Sequence, residues 1–173
     1  CEWIAMLLRT STSRVIINGQ LTEAIQHRQG LRQGDSLSPF LFILAMDPLQ
    51  RMFSLTTTRG LLTKLPGRSP LMRCSFYADD VAMFMNPNVK DARMIHLLLQ
   101  CFGQVSGLKV NADKSMALPI RCAAVNLALV LAPLRIPCKS FPVTYLGMPI
   151  SLRNLTKADF DPFLTKFGNK TTT

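Results

Sequence analysis

Apolar residues recur at helical spacing in some stretches of the chain and gather into short strand-like runs in others. Together they predict a mixed architecture. Glu2 to Arg9 carries Trp3, Ile4, Leu7 and Leu8 and reads as the end of a helix. Arg14 to Asn18 and Leu21 to His27 read as two strands around Asn18-Gly19. An Asn-Gly pair between such runs signals a hairpin, because both turn residues need positive φ. Gly30 to Pro39 is a polar loop, and a helix follows it. Ser38 can cap that helix and Pro39 suits its first turn. Phe40, Ile43, Leu44, Leu49, Met52 and Phe53 give it an apolar face. Pro48 interrupts the pattern and is expected to kink or shorten the helix.

Thr56 to Pro70 reads as an irregular stretch, and Leu71 to Met85 as a second hairpin whose apolar arms meet at Ala78-Asp79-Asp80. Val89 to Val105 is predicted as a helix with Ile95, Leu98, Leu99 and Phe102 on one side, stopped by Gly107. Short strands are expected at Leu108 to Val110 and Met116 to Leu118, around a polar turn. A helix is expected over Ile120 to Leu131, a strand over Tyr145 to Ile150, and a further helix from Asp159 to Gly168. No internal repeat or interdomain linker is visible. Strands and helices mix without strict alternation. That predicts the α+β class, an antiparallel sheet packed on helices at one face.

Composition narrows the picture. The chain has 173 residues, of which 48% are hydrophobic and 17% charged, which excludes disorder and fits one packed domain. The net charge of +10 favours an anionic partner, nucleic acid first, although the Lys and Arg are spread too evenly to name a patch. Five cysteines without a CxxC pair point to reduced thiols inside a cell. His27 and His96 are isolated and read as structural or surface residues. The most apolar stretch, Cys122 to Leu134, contains Asn126 and is too short to span a bilayer, so no membrane role is expected. The chain opens on Cys1 rather than Met and closes on Thr171 to Thr173, so both ends read as cut from something longer.

Three places carry candidate chemistry. Asp79 and Asp80 are adjacent in a chain with ten acidic residues. Holding two carboxylates together beside apolar strands costs repulsion and desolvation, and a divalent cation removes both penalties. Carboxylate oxygens suit Mg²⁺, which keeps water and phosphate in the rest of its shell. The pair also reads as an ordinary turn facing water. In the loop, Gly30 and Gly34 allow close backbone approach to a ligand, while Arg32 and Gln33 offer donors for phosphate, sugar or base edges. It also reads as a plain helix-start loop. Lys114 lies in the polar turn between the two short strands, where it can protonate a leaving pyrophosphate or simply be solvated.

Taken in order, five segments resemble the polymerase domain of non-LTR (LINE-type) retrotransposons, especially those of plants. Cys1 to Gly19 resembles the helix and Asn-Gly hairpin that follow the first catalytic motif. Gly30-Leu-Arg-Gln-Gly-Asp-Ser-Leu-Ser-Pro39 is similar to the template and nucleotide contact motif. Phe76-Tyr-Ala-Asp-Asp80 looks like the catalytic hairpin. Phe102 to Ser115, with Val-Ser-Gly-Leu-Lys-Val-Asn and Asp-Lys-Ser, resembles the next motif and its lysine. Phe141 to Ile150, with Tyr-Leu-Gly-Met-Pro-Ile, resembles the primer-grip region.

The resemblance implies a reverse transcriptase acting in the nucleus. Residues 1–151 would form a partial palm and 152–173 the start of a connection to the thumb, with fingers and thumb missing. It implies an RNA template, a DNA primer, deoxynucleotides and two Mg²⁺ ions in the complete enzyme. Asp79 maps to the metal-ligating aspartate, with Asp80 beside it, and Lys114 to the general acid. Arg32, Gln33 and Gly34 map to the template and nucleotide contacts, Tyr77 and Ala78 to the floor under the primer end, and Tyr145, Leu146 and Gly147 to the primer grip. Ser36 stands where the family usually has proline. The family needs a further aspartate that would lie before Cys1, so the chain by itself is expected not to polymerise. Two other readings stand beside this one: a basic nucleic-acid-binding remnant without chemistry, and a translated relic without a stable fold.

Overall fold

The computed structural model describes residues 2–28, 30–31, 34–67 and 73–168. The chain divides into two compact units, Cys1–Pro48 and Leu49–Thr173. Helices and small antiparallel ladders mix in both, as the α+β class requires. Among the described residues the antiparallel pairing is shared between four two-stranded ladders.

In the first unit, α1 (Glu2–Arg9) buries no residue, and Trp3 stands open to solvent. Gln26 Nε2 donates to the Arg9 carbonyl at 2.8 Å, satisfying a helix end that has no intrahelical donor left. The hairpin after it is built in two steps. β1 (Thr12–Ser13) pairs with β4 (Ile25–Gln26), and β2 (Ile16–Ile17) pairs with β3 (Gln20–Leu21). Between Ser13↔Ile25 and Ile16↔Leu21 the returning strand holds one residue more, a bulge that breaks the two strands expected from the pattern. Asn18 (φ 51°) and Gly19 (φ 80°) make the two-residue turn. His27 proves structural: its ring nitrogens each lie 2.8 Å from a serine hydroxyl, Ser11 at Nδ1 and Ser13 at Nε2.

A single helix, α2 (Ser38–Thr58), continues through Pro48, so the proline does not shorten it. Asp35 starts it, its carboxylate accepting the Leu37 N–H at 2.9 Å. The buried positions are Met46, Leu49, Phe53 and Thr57, one row at helical spacing, whereas Phe40, Ile43 and Leu44 are exposed.

In the second unit β5 (Cys74–Tyr77) and β6 (Asp80–Met83) form a hairpin. Helix α3 (Val89–Ser106) begins on Asn88, whose side chain accepts the Asp91 N–H, and stops on Gly107 in the left-handed region (φ 76°). Ala92, Ile95, Leu98, Phe102 and Gly103 form its buried stripe. Each fully buried apolar side chain here contributes about 1.5–3 kcal/mol. Gly103 is packed so tightly that a Cβ there would sit 3.1 Å from the Leu108 carbonyl oxygen.

Beyond α3 the structure departs from the pattern. The stretches 108–110 and 116–118 pair with no neighbouring strand; Ala117 makes one isolated parallel bridge to Cys138 instead. The helix expected over Ile120 to Leu131 is cut to α4 (Leu127–Leu131), which rests on α3. Arg121 turns left-handed (φ 55°), and the Asn126 side chain caps α4 by accepting the Leu129 N–H. Of this apolar run only Val130 is buried within α4. The expected last strand is a hairpin, β7 (Val143–Tyr145) with β8 (Met148–Ile150). α5 (Lys157–Gly168) follows and touches β8.

Candidate active site

The β5–β6 hairpin carries the acidic pair. Its register is Cys74↔Met83, Ser75↔Ala82, Phe76↔Val81 and Tyr77↔Asp80, which leaves Ala78 and Asp79 as the turn. Ala78 takes the left-handed conformation (φ 48°), a costly one for a residue with a side chain. Asp79 therefore stands at the reversal and Asp80 opens the returning strand. Both are exposed, as is Tyr77 at 61%. Among the described residues neither carboxylate is engaged by a hydrogen bond or an ion pair, so both keep their oxygens for another ligand.

Such a donor set suits a hard cation, because Mg²⁺ is held by one or two carboxylates together with substrate phosphate and water. No cluster of three or more His, Cys, Asp or Glu that would form a closed site occurs among the described residues. The residues present fit an open site completed by substrate.

Lys114 sits in a turn built by Asn111. The Asn111 side-chain oxygen accepts the N–H groups of Asp113 and Lys114 at 3.1 and 3.2 Å, and Ser115 Oγ donates to the Asn111 carbonyl at 2.7 Å. The ammonium is exposed, and no bond joins it to Asp79 or Asp80 among the described residues. Gly34 has a left-handed backbone (φ 83°), while Arg32 and Gln33 lie outside the described residues. Tyr145 and Met148 flank a two-residue turn of Leu146 (φ 52°) and Gly147 (φ 81°), so the triplet Tyr145, Leu146 and Gly147 shapes one hairpin tip.

The residues under the acidic hairpin escaped sequence reading. Arg73 and Asp91 are both 0% exposed, directly before β5 and in the first turn of α3. The available signals were a lone arginine at the mouth of an apolar strand and an aspartate three residues after a capping asparagine. Burial pushes the neighbouring Cys74 thiol up to about 12, against the opposing charge of Arg73.

Residues 1–150 match the family model for reverse transcriptase (RNA-dependent DNA polymerase). The chain belongs to the reverse transcriptase family. Its relatives include two retrovirus-related Pol polyproteins from type-1 retrotransposable element R2 of Popillia japonica. One is 29% identical over 90% of this chain and 22% of its own length. The other is 26% identical over 75% of this chain and 19% of its own length. A Pol polyprotein from type-2 retrotransposable element R2DM of Drosophila melanogaster is 31% identical over 60% of this chain and 9% of its own length. This reverse transcriptase chain thus spans about a fifth of the first two relatives, and its kinship is with non-LTR retrotransposons, as the order of motifs implied. Reverse transcriptases use divalent metal, which agrees with the open carboxylate pair. No helix among the described residues is long and apolar enough to cross a membrane.

Proposed function

We propose that this domain performs RNA-templated DNA synthesis, with Asp79 and Asp80 holding Mg²⁺ at the primer end. One observation carries the reading: within the stretch that matches the reverse transcriptase family, a two-residue reversal sets two exposed, uncommitted carboxylates side by side. The substrates are deoxynucleoside triphosphates on an RNA template and a DNA primer. Bound there, Mg²⁺ supplies activation of the primer hydroxyl and charge neutralisation at the phosphates.

Asp79 is the direct ligand and Asp80 its neighbour. Tyr77 and Ala78 form the floor under the primer end, and Tyr145, Leu146 and Gly147 grip the primer. Arg32, Gln33 and Gly34 face template and nucleotide. Lys114 gives a proton to the departing pyrophosphate. Residues 1–151 serve as palm, and 152–173 lead towards a thumb.

Two adjacent carboxylates bind a cation, but a two-ion site in this family draws on a third. These 173 residues alone are therefore expected not to extend a primer. Primer extension on an RNA template with Mg²⁺ tests this; robust synthesis that disappears in Asp79→Ala overturns the expected inactivity. Cation binding is followed separately, by Mn²⁺ broadening of the hairpin amide resonances. It is expected in the native chain and lost in Asp79→Asn; broadening that survives the substitution overturns the assigned site.

The charge of +10 favours a second reading, a basic nucleic-acid binder without chemistry. In that case Mn²⁺ leaves the hairpin untouched, and Asp79→Asn leaves RNA affinity unchanged or slightly raised.

A further inference from the structure

A buried polar cluster lies at the foot of the β5–β6 hairpin. Arg73, Thr57 and Asp91 are each 0% exposed. Charged residues are almost never buried so completely unless they are paired. The Arg73 guanidinium donates from Nε to Thr57 Oγ1 at 2.9 Å, from Nη1 to the Phe84 carbonyl at 3.4 Å, and from Nη2 to the Thr63 carbonyl. Asp91 Oδ1 accepts the Thr63 N–H at 3.2 Å and its hydroxyl at 3.0 Å. Thr63 is thereby held between two opposite charges. Asn86 Nδ2 reinforces the same segment, donating to the carbonyls of Thr63 at 3.0 Å and Lys64 at 3.2 Å.

The cluster reaches both legs of the hairpin. The Phe84 N–H donates to the Arg73 carbonyl at 2.8 Å, one rung below Cys74↔Met83, so Arg73 engages Phe84 with backbone and side chain alike. The strands themselves supply little apolar anchorage, since Cys74 is the one buried residue of the eight. A guanidinium with three fixed acceptors sets direction better than dispersion contacts do, because its donors lie in a rigid fork.

We infer that Arg73 and Asp91 are positioning residues for the acidic pair: through Thr63, Thr57 and Phe84 they fix the foot of the hairpin and so the place of Asp79 and Asp80 at its tip. The inference rests on the reading that those two carboxylates hold a divalent cation.

Thr63 bridges the two opposite charges, so removing one leaves the other buried without its counter-charge, whereas removing both avoids that penalty. The double variant Arg73→Met/Asp91→Leu is therefore the decisive protein, studied in the full chain with Mn²⁺ as probe. It is expected to unfold cooperatively at a lowered midpoint, because the Thr57, Thr63 and Phe84 groups that the two charges satisfied are left unpaired. Amide exchange at Ser75, Ala82 and Phe84, whose N–H groups donate across the hairpin, accelerates at least about tenfold, while Ile95 and Leu98 in α3 keep their protection. The apparent Mn²⁺ affinity at the hairpin falls about ten- to a hundredfold, as for other supports of metal ligands.

Unchanged exchange in the hairpin overturns the inference. So does a loss of protection spread evenly over hairpin and α3. If the double variant does not fold, Arg73→Lys decides. It keeps the charge and loses the fork, and it must show the same local acceleration, absent which the inference fails. If the native chain shows no Mn²⁺ effect at the hairpin, the metal reading fails while the exchange measurement still judges the positioning role.

Discussion

The hairpin that bears Asp79 and Asp80 and the one that bears Leu146 and Gly147 share a design and differ in what they rest on. Each reverses in two residues, and each begins its turn with a left-handed residue other than glycine, Ala78 at φ 48° and Leu146 at φ 52°. The second turn stays left-handed through Gly147 at φ 81°, the residue that adopts this conformation most cheaply, whereas in the first only Ala78 is left-handed and the next place goes to Asp79. Below the turns the contrast widens. The acidic hairpin stands on a buried cluster tied through Thr63 to α3. The other touches α5, whose start is secured at the surface: Arg153 donates twice to Asp159 at 3.0 and 2.7 Å, and Asp159 accepts both Thr156 groups. The tip that carries two carboxylates stands on a foundation closed to water. The other stands beside a clasp at the surface.

A void in α3, the helix to which that foundation is tied, should give the largest effect. Ile95→Ala empties a fully buried site in α3 and is expected to cost about 2–5 kcal/mol, read from urea unfolding. Met148→Ala, on exposed β8, should change stability by less than about 0.5 kcal/mol. Comparable losses at both positions would erase the contrast.

Next come the turns. Gly147→Ala forces a side chain into the left-handed region and should destabilise by about 1–2 kcal/mol. Ala78→Gly relieves the same strain, offset by glycine's entropy, and should stabilise by less than about 1 kcal/mol. The two changes carry opposite signs in denaturant midpoints; matching signs would show that the turns are not built alike.

The surface clasp should give the smallest effect, one that disappears in acid. Hydrogen bonds from Thr156 and Arg153 hold the Asp159 carboxyl down at about 2. A carboxylate with a depressed folded value stabilises fully above its unfolded value near about 3.9, and that contribution drains away as pH falls through the folded value. Thermal midpoints of the native chain and Asp159→Asn should therefore differ above about pH 4 and converge towards pH 2. A gap that persists at pH 2 would assign the difference to something other than this carboxylate.

Local signals were legible in the sequence wherever one residue decided the backbone. Asn18-Gly19, the Gly107 stop and the apolar row of α3 all came through, as did the reversal at Ala78-Asp79-Asp80. The Leu146-Gly147 reversal did not, because leucine is a poor advertisement for a left-handed turn and the flanking residues read as one strand. The helix expected from Ile120 failed for a related reason: apolar content hid a left-handed Arg121 and a capping Asn126. In α2 periodicity found the helix but misjudged its first half, where Phe40, Ile43 and Leu44 face solvent. Arg73 and Asp91 were invisible to any pattern of polar and apolar positions, since such patterns place charges outside. Their role arises from partners ten to twenty-eight residues away in the chain.

The narrow clearance at Gly103 bears on variation of this domain. Any side chain there would press on the Leu108 carbonyl and push away the strand-free segment that leads to Asn111 and Lys114. A methyl group on the inner side of α3 would thus be felt first outside its own helix, at the point where the chain sets off towards the turn at Asn111.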